Sequence, residues 1–451
     1  MERQILKPTP ISGFPEWLPA EKLVEQRFLD RIRATFEAYG FTPIETAAAE
    51  RTEVLTAKGG LEKEIYALSR LAAGEGEEAE TGLALHFDLT VPTARYVAQN
   101  YGHLTFPFRR YQMQKVWRGE RPQAGRFREF YQCDIDVIGD GQLSIATDAE
   151  IPAIIYDLFR ELAIGDFVIR ISNRKILSGY LTHLGCPDGA IHAVLGTVDK
   201  IEKIGASKVV AEIEALGALA PAALDKLMAL IATKRSNEEL ISHLYSVSGN
   251  ERFTLGVDEL AEVTEAVAAL GVPDSHLEID LTIVRGLDYY TGTIYETRLV
   301  EHPEIGSICS GGRYDDLASH FIDKPLPGVG ISIGLTRLLS SLFKAGIVQA
   351  SAQSPAPVLV TTLERERTGD YLKLARYLRE GGIKTEVFLE PKKLGQQLKY
   401  ADKKGFRFAL IAGGTEFDAG TVKLKNLASG QELTVAVGQM VHVLHQKLAQ
   451  E

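Results

Sequence analysis

Apolar positions near the start of the chain recur at helical spacing. Leu18, Leu23, Phe28, Ile32 and Phe36 share an approximate face, which predicts a helix over 17–39 that Gly40 ends. "GFTPIETAA" then reads as a turn and a strand, and "LALHFDLTVPTARYVAQN" as a strand turning helical after Pro92. In "PFRRYQMQKVWRGE", Tyr111, Met113, Lys115 and Trp117 alternate with Gln112, Gln114, Val116 and Arg118, the period of a strand. "RPQAG" interrupts it and "RFREFYQCDIDVIG" returns, so the pair predicts a long antiparallel hairpin with a charged loop. A helix is expected over 148–163 and a strand at "FVIRIS". From 174 to 275 the pattern is Ala/Leu/Lys/Glu-rich and helical throughout.

Strands resume at "LEIDLTIVRG", "TIYETRLV" and "GVGISIG", the last running into a helix, "LTRLLSSLFKAG". Small polar residues and prolines at 348–356 mark a linker. Beyond it, strands and helices alternate: "PVLVTTL", a helix over 367–381, "KTEVFL", a helix over 394–404, "FRFALIAG", "GTVKLKNL", "QELTVAV" and a closing helix. That alternation predicts a small α/β domain with a largely parallel sheet over 357–451. The expected organisation is one body in two parts, 1–173 and 276–347, with a helical insertion at 174–275 between them.

Composition narrows the class. The chain has 451 residues, enough for about three domains. Its 45% apolar and 24% charged content is that of an ordinary globular protein. "MERQILKPTPISGF" lacks the apolar stretch of a signal peptide, and no apolar run reaches membrane-span length. Cys133, Cys186 and Cys309 lie far apart, which argues against disulfides and cysteine-based zinc sites and for the cytoplasm. The net charge of −10 is uneven: residues 355–451 carry 15 Lys and Arg against 11 acids, a basic module on an acidic body.

Candidate chemistry concentrates in "WRGERPQAGRFREF". Arg118 and Glu120 share one strand face, as do Arg126 and Phe130. Guanidinium groups grip phosphate or carboxylate through paired hydrogen bonds, a carboxylate accepts from an exocyclic amine, and a ring stacks on a base. The set suits a nucleoside triphosphate; it equally fits a solvated hairpin whose surface ion pairs contribute roughly 0–1 kcal/mol each. In "VRGLDYYTGTIYE", Arg285 precedes the pair Tyr289 and Tyr290, whose phenols could wall a flat ring or belong to a core strand. "SGGRYDDL" offers a glycine pair for close approach. Neither a GxGxxG nor a GxxxxGK[ST] spacing occurs, which excludes Rossmann and P-loop readings. His442 and His445 lack a third ligand and read as surface residues, so no metal site is expected. Lys392, Lys393, Lys399, Lys403, Lys404 and Arg407 form a basic run on or beside one helix.

Together these segments resemble the class II aminoacyl-tRNA synthetases. The hairpin resembles their motif 2, "GVGISIGLTRLL" motif 3, and residues 17–50 motif 1. "RGLDYYTGTIYE", "GGRYDDL" and "FDLTVPTARY" resemble segments of the histidyl-tRNA synthetase family, and "GQQLKYADKKGFRFALIAG" its anticodon-binding domain. The resemblance implies an α+β catalytic domain, an antiparallel sheet flanked by helices, with a helical insertion and a C-terminal α/β anticodon-binding domain. It implies ATP-dependent attachment of L-histidine to histidine tRNA through a histidyl-adenylate, with Mg²⁺ carried on the ATP phosphates, by a cytoplasmic homodimer.

By position, the resemblance puts Asp88 and Thr90 at the histidine α-ammonium with Gln132 nearby, counts Leu89 among the histidine-binding residues, and puts Asp136 and Tyr290 at the imidazole nitrogens and Tyr289 in the pocket wall. It puts Arg118 on the α-phosphate, Glu120 on the adenine amine, Arg126 on the outer phosphates, Phe130 against adenine and Arg337 on ATP's other face. Arg285 would meet both α-phosphate and histidine carboxylate; Lys399, Lys403, Lys404 and Arg407 would meet tRNA. Ala47 and Thr336 depart from the family pattern, at a motif 1 proline and at the acid before the motif 3 arginine. Two other readings, a non-enzymatic regulatory subunit of histidine biosynthesis and a tRNA-sensing module, would fit a chain with eroded motifs.

Overall fold

The computed structural model describes residues 6–57, 62–70, 80–121, 125–284, 290–315 and 318–449. The expected contributions of Arg285 and Tyr289, and the tip of the hairpin, lie outside them.

In chain order the first strands are β1 (Thr42–Pro43), β2 (Ala49–Arg51), β3 (Ala67–Ser69), β4 (Glu80–Leu85), β5 (Phe108–Trp117) and β6 (Glu129–Ile138). There follow β7 (Phe167–Asn173), β8 (Leu277–Ile279), β9 (Thr293–Leu299), β10 (Ser307–Tyr314) and β11 (Gly328–Gly334). Eight of these form one sheet in the order β1-β5-β6-β11-β10-β9-β7-β8. Its six central strands are antiparallel; the short edge strands β1 and β8 pair parallel, so the sheet is mixed. A three-stranded sheet, β2-β4-β3, stands apart.

The expected strand "LEIDLTIVRG" stops at Ile279. The Asp280 carboxylate accepts from the Thr282 backbone N–H at 2.8 Å and its hydroxyl at 2.6 Å, and this local turn competes with the ladder. The stretch between Arg174 and Ala269 is helical, its longest helix being Glu251–Ala269. Glu202 of this stretch pairs with Arg170 of β7 at 2.8 Å, tying helices to sheet.

The register puts polar residues on one face of the large sheet. Directly paired strand residues share a face. One row therefore runs Gln112, Asp134, Ser332, Ser310, Glu296, Arg170 across β5, β6, β11, β10, β9 and β7. The neighbouring row runs Arg110, Asp136, Gly330, Gly312, Ile294. Gly330 has to lack a side chain: a Cβ there would sit 2.3 Å from an Asp136 carboxylate oxygen and 2.2 Å from the Ile135 carbonyl. The opposite face carries Cys133, Ile135, Val137, Ile331 and Ile333, all buried, beside the buried residues of helix Thr147–Leu162.

A second compact unit comprises residues 349–451 together with Glu16–Arg27, a segment the sequence pattern placed with the first body. Its strands are β12 (Val358–Val360), β13 (Thr385–Val387), β14 (Phe408–Ile411), β15 (Thr421–Asn426) and β16 (Glu432–Ala436), in the order β13-β12-β14-β15-β16. Only the first three are parallel; β15 and β16 return antiparallel, contrary to the largely parallel expectation. The connections explain this: helices Thr368–Glu380 and Leu394–Lys404 are long enough for parallel crossovers, whereas β15 and β16 are joined by a short turn. Val358, Val360, Tyr371, Leu378, Phe408 and Leu410 centre its core.

Candidate active site

The polar face floors an open cleft of about 1560 Å³. Asp88, Thr90, Arg118, Arg126, Phe130, Gln132, Asp136, Tyr290 and Arg337 all line it, although the chain delivers them from five separate segments. The hairpin β5–β6 supplies one end, helix Leu335–Ala345 one wall, and the turn before helix Thr90–Gln99 the other.

At the hairpin end, three guanidinium groups surround one ring and one carboxylate. Arg118 and Arg337 lie over the Phe130 ring, 5.2 and 4.3 Å from its centroid. Glu120 Oε2 stands 3.8 Å from Arg126 and 3.7 Å from Arg337. Neither approach is a hydrogen bond, and Glu120 Oε2, Arg337 Nε and Arg337 Nη2 are buried with no hydrogen-bond partner. Burial, then the nearby Arg118 charge, pulls the Arg337 pKa down against the opposing pull of Glu120, so one carboxylate serves three guanidinium groups. Arg118 is better anchored: its Nε donates to the Phe87 carbonyl at 2.9 Å. Leu89 backs the cleft instead of lining it, its side chain packing beneath Phe130 with Val116.

Toward the middle of the floor the chemistry turns acidic. Asp88, Asp134 and Asp136 are all nearly inaccessible, and the wholly buried Arg110 sits among them, ion-paired with Asp136. Tyr314 donates its hydroxyl to Asp136 at 2.8 Å. Burial dominates the titration of all three acids: Asp88 is raised to about 6 and Asp134 to about 7, and Asp136 is raised despite Arg110 and Tyr314. Asp88 accepts the Val91 N–H at 3.2 Å through Oδ1, leaving Oδ2 with no donor. Gln132 donates its amide to the Ser332 hydroxyl at 2.6 Å, leaving its own Oε1 unpaired.

Arg110, Asp134, Tyr314 and Ser332 were not singled out from the sequence. Asp134 could have been: it lies midway between Gln132 and Asp136 on one strand face. Arg110, Tyr314 and Ser332 become visible only through the cross-strand register.

Among the described residues, no group of three or more His, Cys, Asp or Glu side chains could hold a metal ion. His445 bonds the Gly381 carbonyl at 2.8 Å and His442 meets Gln446 at 2.9 Å. In the second unit, Lys399 and Lys403 are exposed on helix Leu394–Lys404. Lys404 lies over the Tyr400 ring at 5.1 Å, and Arg407 donates to the Leu448 carbonyl at 3.3 and 3.4 Å. The four residues assigned to tRNA therefore divide into two exposed lysines and two engaged cations.

The family described as Histidyl-tRNA synthetase matches residues 13–338, and the one described as Anticodon binding domain matches residues 357–447. The chain belongs to the histidyl-tRNA synthetase family. It is an enzyme of the ligase class with the class II synthetase fold and an anticodon-binding domain carrying its own sheet. The histidine–tRNA ligase of Xanthomonas campestris pv. campestris (strain 8004) is 48% identical over 465 residues, covering 99% of this chain and 98% of that one. The ligase of Nostoc sp. (strain PCC 7120) is 46% identical, with 97% of each chain covered. A crystal structure of the Nostoc histidyl-tRNA synthetase superposes with a TM-score of 0.91 at 45% identity, over 98% of this chain and 100% of that one.

Proposed function

We infer that this member of the histidyl-tRNA synthetase family joins L-histidine to histidine tRNA in two steps, activation by ATP and transfer. One observation carries the reading: buried, unpaired acceptors on the cleft floor share a single cleft with a cluster of under-neutralised guanidinium groups. The first suits an amino acid's cationic end and the second a polyphosphate.

In the activation step a histidine carboxylate oxygen attacks the α-phosphorus of ATP. A new P–O bond forms, the bond to the bridging oxygen breaks, and pyrophosphate leaves with the electron pair. Both reactants are anions, so the barrier is mainly repulsion and misalignment. Arg118 is held by Phe87 and would neutralise the α-phosphate without reorganising. Arg126, 57% exposed, would take the outer phosphates. Phe130 would stack on adenine once Arg337, now 4.3 Å above that ring, moves aside to ATP's other face, and Glu120 would accept from the exocyclic amine. The orphaned Glu120 Oε2 and Arg337 nitrogens are the donors and acceptor such a ligand needs. Bound with ATP, Mg²⁺ supplies charge neutralisation on the phosphate oxygens.

Asp88 and Thr90, with Gln132 near them, would hold the α-ammonium. Asp136, fixed by Arg110 and Tyr314, would take one imidazole nitrogen and Tyr290 the other. A competitor without these nitrogens would forgo both contacts in a buried site, which discriminates against it. The roles of Arg285 and Tyr289 rest on the sequence resemblance.

We also propose that 1–173 and 276–347 form the catalytic domain, 174–275 an insertion and 357–451 the anticodon-binding domain. The helices between Arg174 and Ala269 and the separate five-stranded sheet support this. Exposed Lys399 and Lys403 would meet tRNA phosphates. A cytoplasmic homodimer follows from the motif 1 resemblance and the cysteine usage. Histidine-dependent ATP–pyrophosphate exchange, followed by acylation of a histidine tRNA transcript, tests the reading. Exchange that does not respond to histidine would refute it.

A further inference from the structure

Three buried acceptor atoms on the cleft floor have no donor: Asp88 Oδ2, Gln132 Oε1 and Asp134 Oδ1. The resemblance accounts for the first two. Asp134 lines the cleft, is 2% exposed, and has no place in the histidine site as read above. Ser332 lies directly across the ladder from Asp134, and its hydroxyl accepts the Gln132 amide at 2.6 Å. The serine orients Gln132, and an oxygen of Gln132 and one of Asp134 stay uncommitted side by side on the same strand face.

We propose that Asp134 is a further histidine-binding residue, which together with Asp88 and Gln132 receives the three N–H donors of the substrate's α-ammonium. The inference rests on the reading of this floor as the histidine site. An ammonium carries three donors and no acceptor, and three orphaned acceptors are its complement. Charge agrees. Arg110 is committed to Asp136, so Asp88 and Asp134 form an acidic surplus that a bound cation relieves.

The groups facing Asp134 are Arg110 and Gln112 from β5, Asp136 from β6, Ser332 from β11, Cys309 from β10 and Asp88 from the turn before helix Thr90–Gln99. Burial keeps its carboxyl high in the empty site. An incoming ammonium favours the ionised form, so histidine binding weakens as pH falls through about 7.

The test is Asp134→Asn in the full chain, which keeps shape and removes the charge. In histidine-dependent ATP–pyrophosphate exchange at pH 8, KM for histidine rises about tenfold or more while KM for ATP stays within about twofold. Inhibition by histidinol, which keeps the ammonium and lacks the carboxylate, weakens in parallel. Inhibition by 3-(imidazol-4-yl)propionate, which lacks the ammonium, stays within about twofold. The melting temperature at pH 8 equals or exceeds the parent's, because a buried charge is gone; a purely structural residue would lower it. The rise in histidine KM on going from pH 8 to pH 6 is shallower in the variant.

An unchanged histidine KM overturns the proposal, as does equal weakening of both inhibitors. If the variant does not fold, Ser332→Ala removes the hydroxyl that aims Gln132 and lies across the ladder from Asp134, with an expected rise in histidine KM of about threefold; no rise overturns the proposal. Parent protein that shows no histidine-dependent exchange would instead sink the underlying reading.

Discussion

Two buried clusters of acid and arginine lie on opposite faces of the same sheet. On the helix side, Asp148 of helix Thr147–Leu162 is 0% exposed and every contact is completed. Arg313 donates to it at 2.7 and 3.1 Å and Thr293 at 2.6 Å, and the rest of the Arg313 guanidinium is spent on the Leu143 and Ser144 carbonyls. On the cleft side, Asp88, Gln132 and Asp134 are as deeply buried, yet each keeps an open acceptor. Burial alone does not mark a functional site. A saturated cluster holds the fold, and an unsaturated one keeps its hydrogen-bonding capacity for a ligand.

The contrast can be broken by removing one member from each side. Asp148→Ala strands Arg313 beneath the sheet and should cost about 3–5 kcal/mol, read as a lower denaturant midpoint. A midpoint unchanged from the parent would mean that the saturated cluster is not structural. Arg118→Ala should leave that midpoint nearly alone and slow ATP–pyrophosphate exchange on the order of 10²–10³-fold, because its guanidinium faces the cleft. Native-rate exchange would remove it from the reaction.

A pH series sharpens the difference. Asp88 and Asp134 are raised to about 6 and about 7 by burial, so the folded chain binds protons that the unfolded chain releases. Their contribution favours folding most at low pH and is lost as pH rises through those values. The stability difference between parent and Asp88→Asn should therefore shift in the variant's favour from pH 5 to pH 8. Saturating histidine should restore part of the parent's loss. A pH-independent difference would mean that Asp88 is not held protonated. The smallest effect is in the second unit: replacing Lys399 and Lys403 with alanine should flatten the salt dependence of tRNA binding by about one to two counterions, leaving exchange unchanged.

Much of this was legible in the sequence because the chemistry of the hairpin is contiguous. Arg118, Glu120, Arg126 and Phe130 occur within thirteen residues, and alternation alone places them on faces. The saturated cluster was not legible: Asp148 and Arg313 are far apart in sequence, and nothing local pairs them. Ser332 and Tyr314 stayed hidden for the same reason, since their relation to Gln132 and Asp136 exists only in the ladder. The broken strand after Ile279 shows the opposite failure. An apolar alternation was present, but the Asp280 side chain captured the backbone that the ladder needed.

Glu120, set between Arg126 and Arg337, gives the nucleotide end a filter. Any anion drawn to these arginines has to compete with a carboxylate already there. An adenine ring brings an amine that Glu120 can accept from while the phosphates take over the guanidinium groups, so displacement and recognition become one event. On that assignment the free protein would favour the whole nucleotide over its phosphate fragments, because only the nucleotide replaces what Glu120 gives up.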